Sequence, residues 1–322
     1  MVLFVNYPSW ISPYVIKGLP IRWYAVMYLV SFSIAYLLYN HQMQNDKRFR
    51  KVDQDTKENA FLLVIVGLLV GARVGSWLFY YDAVFYLTHH WMIFWPFQNG
   101  QFVGLPGMSY HGGVIGGIVA CVVYLKVKKQ PVLAFMDVMC ASIPFAYTFG
   151  RLGNFFNAEL YGRVTSSSLG MVFPYAERFP TTIEWVRNLA DQCGISYVVG
   201  DYVNLPRWPS QLFEAFFEGI VLGLFLWFFV RRMKEKRGWA HGTIGGAYFA
   251  GYGLVRFIIE YFRQPDADIG YVFSFGEKST NIYVFQGLGN ISKGQVFCFL
   301  MIVGGLAFIL AVNLLGNRKE KK

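Results

Sequence analysis

Gly150–Arg163, reading GRLGNFFNAELYGR, sets Arg151, Asn154, Asn157, Glu159 and Arg163 at the end of a long apolar run. Arg151 and Asn154 are three apart and share a face if the turn is helical. The two arginines, Arg151 and Arg163, with several amide donors in an apolar and water-poor setting would bind an anionic head group, because guanidinium offers a donor fork that matches phosphate. A second set, Tyr252, Arg256 and Glu260, recurs every fourth residue within another apolar run, so the three lie on one face of a helix. Arg73 and His111 interrupt two further apolar runs, and Tyr24 opens the first. Together these residues describe an anion site with a titratable imidazole in reach of neutral pH.

The elements that would position them are membrane helices. The 322 residues are 55% hydrophobic and 19% aromatic with only 15% charged, the balance of a polytopic membrane protein. A formal net charge of +10 raises the question of nucleic acid, but the basic residues sit in short blocks between apolar runs, the pattern that orients a chain in a bilayer, and nucleic acid is rejected as a partner. Cys121, Cys140 and Cys298 fall in apolar runs and only Cys193 in a polar region, which gives neither a disulfide framework nor metal-ligand spacing. Met1–Pro20 lacks the basic start and small-residue cleavage pattern of a secretory signal, so the first apolar run is read as retained.

Spans are predicted over roughly 21–39, 60–80, 112–127, 132–149, 211–230, 242–262 and 296–315, each near the ~20 residues that cross hydrocarbon. The third and fourth are short, beside Gly112, Gly113 and Pro131, and are read as tilted or extended. Lys/Arg clusters at 47–57, 126–129, 231–237 and 318–322 fall in alternate loops, which places those loops and the C terminus in the cytoplasm and the N terminus outside. The predicted fold is an all-α polytopic membrane protein of seven transmembrane helices, a single membrane domain over 1–322. Residues 81–110, without Lys or Arg but with Trp91, Phe94, Trp95, Pro96 and Phe97, read as an interfacial aromatic arm. Residues 150–210, mixed polar with turn signals at Ser166–Gly170, Phe173-Pro174 and Leu205-Pro206, read as an outer head inserted between spans four and five.

With that topology the embedded polar groups gather in the outer half. At ~1.5 Å per residue, Arg73 lies about 18 Å along the second span, and Tyr252, Arg256 and Glu260 about 15, 21 and 27 Å along the sixth. Tyr24, His111, Gln211 and Glu214 open their spans on the same side. An arginine at a helix centre costs ~2.5–3.5 kcal/mol on insertion scales, so a functional site is the default reading of such charges. Structural readings stand beside it: Arg73 snorkelling or paired with a carbonyl, Arg256 and Glu260 as an internal ion pair, His111 as a satisfied core histidine. The ladder Gly67, Gly71, Gly75 reads as close helix packing.

The signature at 150–163 resembles that of the prolipoprotein diacylglyceryl transferases, close to G-R-x-G-N-F-x-N-x-E-x-x-G. IRWYAVMYLV at 21–30, MSYHGG at 108–113, RWPSQLFEA at 207–215 and GYGLVRFIIEYFRQPD at 251–266 resemble further segments of that family in the same order, over essentially the whole chain. Two positions depart from it: Trp208 stands where His-Pro-Ser-Gln is common, so a role for that histidine is absent here, and Lys293 stands where Ser-Met-Gly-Gln is common. The resemblance implies a bacterial inner-membrane enzyme, active toward the outer leaflet. It would move the diacylglyceryl group of phosphatidylglycerol to the lipobox cysteine thiol of a preprolipoprotein signal peptide and release glycerol phosphate. It further implies His111, Arg256 and Arg151 as catalytic residues, and Tyr24, Asn154, Glu159, Gly162, Tyr252, Glu260 and Arg73 as substrate-binding residues, with membrane lipids as surroundings and no metal or cofactor. A thiol has an ordinary pKa of ~8.5, so either His111 takes its proton or a desolvated arginine pair promotes its loss. A transporter would show internal repeats and paired broken helices, which this sequence lacks, and a lipid-binding scaffold gives no reason for His111 beside the anion site.

Overall fold

The computed structural model describes residues 4–16, 18–19, 21–80, 88–95, 97–98, 100–102, 107–265, 270–275 and 281–319. Much of the predicted aromatic arm, including 81–87 and Pro96, lies outside the described residues, as does Asp266. In chain order the helices are α1 (Trp23–Asn45), α2 (Gln54–Tyr80), α3 (Tyr110–Val127), α4 (Val132–Phe156), α5 (Glu184–Cys193), α6 (Ser210–Arg237), α7 (Thr243–Ile259) and α8 (Lys293–Lys319). A helix occupies each of the predicted spans. Within α2, α4, α6 and α8, the segments Gln54–Leu78, Val132–Phe156, Ser210–Arg237 and Lys293–Gly316 are long and apolar enough to cross a membrane. The apolar parts of α3 and α7, Gly112–Val127 and Thr243–Ile259, are shorter. The protein is a mostly helical, multi-pass membrane protein.

The chain forms two compact units, Asn40–Phe135 and the remainder, Met1–Tyr39 with Met136–Lys322. In the first, α2 and α3 cross with their backbones in contact. A Cβ on Gly71 would overlap the carbonyl oxygen of Gly112, and one on Gly116 that of Gly67, so only glycine permits this approach. The glycine ladder is thus a packing device, as its spacing of four predicted. Ser109 caps α3, its hydroxyl accepting from Gly112 N at 3.3 Å.

In the second unit, α4, α6, α7 and α8 meet at one end through Asp137. This buried carboxylate accepts from Lys234 Nζ at 2.6 Å and from the backbone N–H groups of Gly242 (2.9 Å) and Gly245 (3.0 Å), which begin α7. Those N–H groups have no partner within the helix, so Asp137 serves both as their cap and as the counter-charge of Lys234. Asn313 of α8 completes the clasp, donating to Thr243 Oγ1 and accepting from Ala240 N. The middle of α6 is wound as π-helix over Glu214–Val221 and Phe225–Val230, a widening common at functional sites. Close approach continues at Gly219, where a Cβ would overlap the Thr148 hydroxyl of α4.

Between α4 and α6 the polar stretch folds around α5 and short strand pairs. Strand β1 (Val5–Asn6) lies parallel to β4 (Met171–Val172), and β5 (Phe179–Pro180) antiparallel to β6 (Tyr202–Val203). Val164, Phe179, Val186, Leu189, Ala190, Val203 and Leu205 form its core, with Trp185 and Tyr283 packed against it. No alternation in the sequence marked these strands, because each paired segment is only two residues long. Cys193 is buried here, and burial pushes its thiol pKa up. A further hairpin, β7 (Tyr271–Ser274) with β8 (Asn290–Ser292), leads into α8; β2 (Phe97–Gln98) pairs with β3 (Gln101–Phe102) in the other unit.

Candidate active site

Helix α4 carries the signature to Phe156, and Tyr7 fixes its end. The Tyr7 hydroxyl donates to the carbonyls of Phe155 (2.9 Å) and Phe156 (3.2 Å), two of the acceptors that a helix C-terminus leaves without partners. Burial, first, and the nearby Tyr175 push the Tyr7 pKa up to about 12, so the donor persists across neutral pH. Beyond α4, Ala158 (φ 52°) and Leu160 (φ 57°) take left-handed backbone that non-glycine residues rarely adopt. These two turns fold the chain back, and the Glu159 carboxylate receives Asn154 Nδ2 at 3.0 Å and Asn157 Nδ2 at 3.4 Å. Gln211 of α6 locks the loop by donating to the Glu159 carbonyl at 2.6 Å. Strain of this kind is held only where the surroundings over-determine it, which marks the loop as a candidate functional element.

The charged centre lies between α4, α6 and α7. Glu214, at 0% side-chain exposure, faces three guanidinium groups: Arg151 Nε at 2.8 Å, Arg256 Nη1 at 3.0 Å and Arg263 Nη1 at 2.6 Å. Arg256 also reaches Glu218 (3.6 Å) and Glu260 (3.3 Å), and Arg263 Nε lies 3.6 Å from Glu260. Arg151 Nε donates to the Tyr147 hydroxyl at 2.6 Å, with its guanidinium carbon 4.8 Å from the ring centre. The buried Tyr252 packs edge-on against Tyr147, with ring centres 5.9 Å apart. Glu260, the C-cap of α7, accepts from the Ser292 hydroxyl at 3.2 Å, beneath Gly294, where a Cβ would lie 2.6 Å from its carboxylate. Buried charges survive only when paired in this way, and the pairing holds the arginines in fixed positions.

Gly162 serves the same centre through the backbone. Its N–H donates to Trp208 O at 2.8 Å, it bridges to Arg263, and any Cβ would overlap Phe262 O. Its substitution would shift Arg263 and hence Glu214. Arg163, read from the sequence as a second phosphate-binding arginine, is 2% exposed and spends its donors on Arg263 O (2.6 Å) and the Tyr271 hydroxyl (2.7 Å). Arg207 is likewise enclosed, between the rings of Tyr161 and Phe179, and donates to Gln264 Oε1 at 2.9 Å. Desolvation lowers the pKa of both.

Of the predicted residues, Arg151, Asn154, Glu159, Gly162, Tyr252, Arg256 and Glu260 belong to this constellation. Tyr24 of α1 lies within electrostatic reach of Arg151 and Glu159, its hydroxyl donating to Tyr28 at 2.9 Å. Arg73 is in the other unit, donating to Ile93 O and, at 3.2 Å, to Gly107 O, the carbonyl pairing weighed from sequence. His111 is the second residue of α3, and its side chain is outside the described set. Glu214, Glu218, Arg263 and Tyr147 were not among the predicted site residues. The i,i+4 spacing of Glu214 and Glu218 in an apolar run is the signal that could have found the two glutamates; nothing local marks Arg263 or Tyr147.

The family model for prolipoprotein diacylglyceryl transferase matches residues 13–311. The phosphatidylglycerol–prolipoprotein diacylglyceryl transferase of Treponema denticola is 46% identical over 339 residues, covering 100% of this chain and 98% of its own length. That of Treponema pallidum is 47% identical, covering 98% of each chain, and that of Chlorobaculum tepidum 40%, covering 94% and 90%. A family model matched over residues 13–311, with relatives 46% and 47% identical along nearly the whole chain, establishes that this protein belongs to the prolipoprotein diacylglyceryl transferase family.

Proposed function

We infer that this protein transfers the sn-1,2-diacylglyceryl group of phosphatidylglycerol to the lipobox cysteine thiol of preprolipoproteins, forming a thioether and releasing glycerol 1-phosphate. It is a transferase of the first step of bacterial lipoprotein maturation. The observation that carries the reading is the arrangement of Arg151 and Arg256 about Glu214 at an enclosed, apolar meeting of three helices. It sets two guanidinium groups, as anion-binding donors, on helices of which α4 and α6 hold segments long and apolar enough to cross a membrane.

The chemistry is displacement at carbon. The cysteine sulfur attacks the glyceryl CH2, the C–O bond to phosphate breaks, and its electron pair stays on the leaving oxygen. A diester monoanion becomes a monoester moving toward dianion, so arginine contacts strengthen as the bond breaks, which is where stabilisation accelerates the reaction. Arg151 and Arg256 are assigned to the phosphate. Glu214, Glu260 and Arg263 hold them in place, and Tyr24, Asn154 and Tyr252 supply hydrogen bonds to glycerol and phosphate oxygens. Glu159 orders the signature loop. His111 is assigned as the base that receives the thiol proton, Gly162 holds the backbone beside Arg263, and Arg73 is assigned to substrate binding from its place among the carbonyls of Ile93 and Gly107. The scheme calls on no metal or cofactor.

The basic clusters support seven crossings with the N terminus outside and the C terminus in the cytoplasm. The polar stretch 150–210 is then an outer head, and the site opens toward the outer leaflet of the bacterial inner membrane. The test is direct: purified protein given phosphatidylglycerol and a lipobox peptide is expected to yield the diacylglyceryl thioether peptide by mass. An unchanged peptide, under conditions where a relative from Treponema converts it, overturns the assignment.

A further inference from the structure

The charged centre is balanced before any ligand arrives. Arg151, Arg256 and Arg263 oppose Glu214, Glu218 and Glu260, three charges of each sign. A phosphodiester brings one further negative charge into a setting that solvates it poorly. Either the site holds that excess or one carboxylate gives up its charge.

The glutamates differ in how firmly they are held. Glu214 contacts all three arginines within 3.0 Å. Glu260 combines Arg256 and Arg263 with the Ser292 hydroxyl. Glu218 is 1% exposed and has a single ion contact among the described residues, 3.6 Å to Arg256 Nη1, longer than any that Glu214 makes; beyond it, only the Tyr147 hydroxyl is in hydrogen-bonding reach. Around it stand Tyr147 and Arg151 from α4, Glu214 on its own helix, Arg256 from α7 and Cys298 from α8. Tyr252 of α7 packs on Tyr147. Arg256 Nη1 is shared between Glu214 and Glu218 and itself makes no well-formed hydrogen bond, so it is the donor most available to a phosphate oxygen. A phosphate that takes this donor draws away the cation that, among the described residues, is ion-paired with Glu218.

We propose that the site binds its phosphodiester together with one proton, and that Glu218 is the group that receives it. The cluster then stays neutral with lipid bound, and the new O–H of Glu218 adds a donor to a corner crowded with acceptors. The transferase reading enters only in naming the anion as phosphatidylglycerol. Glu218 thereby sets how lipid affinity depends on pH, a role distinct from that of the base that serves the thiol.

The test uses the full-length protein in detergent, titrated calorimetrically with dioctanoyl phosphatidylglycerol in buffers of different ionisation enthalpy. The wild type is expected to take up about one proton per lipid, its Kd rising about tenfold per pH unit across the range where uptake is complete. Glu218→Gln is expected to take up none and to bind with a Kd independent of pH. Binding by the wild type without proton uptake, or undiminished uptake in Glu218→Gln, overturns the proposal; should that variant not fold, the wild-type stoichiometry alone decides. Peptide lipidation is measured on the same preparation. Proton-coupled binding without lipidation overturns the transferase reading and supports this one, whereas lipidation without proton uptake does the reverse.

Discussion

Replacing Glu214 by Gln keeps the shape of the side chain but removes the charge that Arg151, Arg256 and Arg263 share at 2.6–3.0 Å. Removing one partner of a buried ion pair leaves the other uncompensated, at a cost of about 3–5 kcal/mol. Glu214 has 0% exposure, so solvent screening relieves little of this, although Arg263 at 20% can turn partly toward solvent. The catalytic loss follows from position: a shift of about 1 Å in groups that bind the reacting phosphate costs ~10²-fold, near 2.7 kcal/mol. Glu214→Gln is therefore expected to lower kcat/KM for peptide lipidation by at least ~10²-fold and to unfold earlier on heating in detergent. Combining it with Arg263→Gln is expected to cost less stability than the two changes summed, because the second removes a charge the first has orphaned. Wild-type turnover in Glu214→Gln, or strict additivity with Arg263→Gln, would refute the view that this carboxylate positions the arginines.

Three further outcomes follow from the same account. His111→Gln is expected to be severely impaired, more at low than at high pH, because alkaline solution ionises the thiol without a base; a pH–rate profile with a uniform deficit removes His111 from that role. Gly116→Val is expected to prevent the α2–α3 crossing, since even a Cβ there overlaps Gly67 O, and to abolish accumulation of folded protein; normal levels by in-gel fluorescence of a tagged chain would contradict the packing. For the orientation, Cys193 is a poor reporter because it is buried, whereas Val198 is 69% exposed. Val198→Cys is expected to react with an impermeant maleimide added outside cells whose outer barrier is permeabilised, and labelling only after lysis would reverse the topology.

What the sequence made legible was decided by how local each interaction is. The glycines at 67, 71 and 75 could be read because a helix crossing of small residues repeats every fourth position on one element. Arg256 and Glu260 could be read for the same reason, and Arg151 because charge in an apolar run is costly wherever it sits. Glu214 was visible but not assigned, because a carboxylate at the start of a span also reads as a boundary residue. Its meaning lies in the convergence of α4, α6 and α7, which no single helix records. The Tyr7 cap spans 148 positions of sequence, and the hydroxyl gives no local sign of the carbonyls it will serve. Arg163 misled in the opposite direction: it stands in the signature like a ligand-binding arginine, yet its donors go to Tyr271 and the Arg263 carbonyl, so it braces the loop.

The central claim is that the phosphate of phosphatidylglycerol occupies the centre built by Arg151 and Arg256. An electron cryomicroscopy structure of the full chain with bound phosphatidylglycerol tests it most directly. The account predicts phosphate oxygens within hydrogen-bond distance of both guanidinium groups, with Glu214 still joined to Arg263. A head group seated elsewhere, with the ion pairs of Arg151 and Arg256 unchanged, would contradict it.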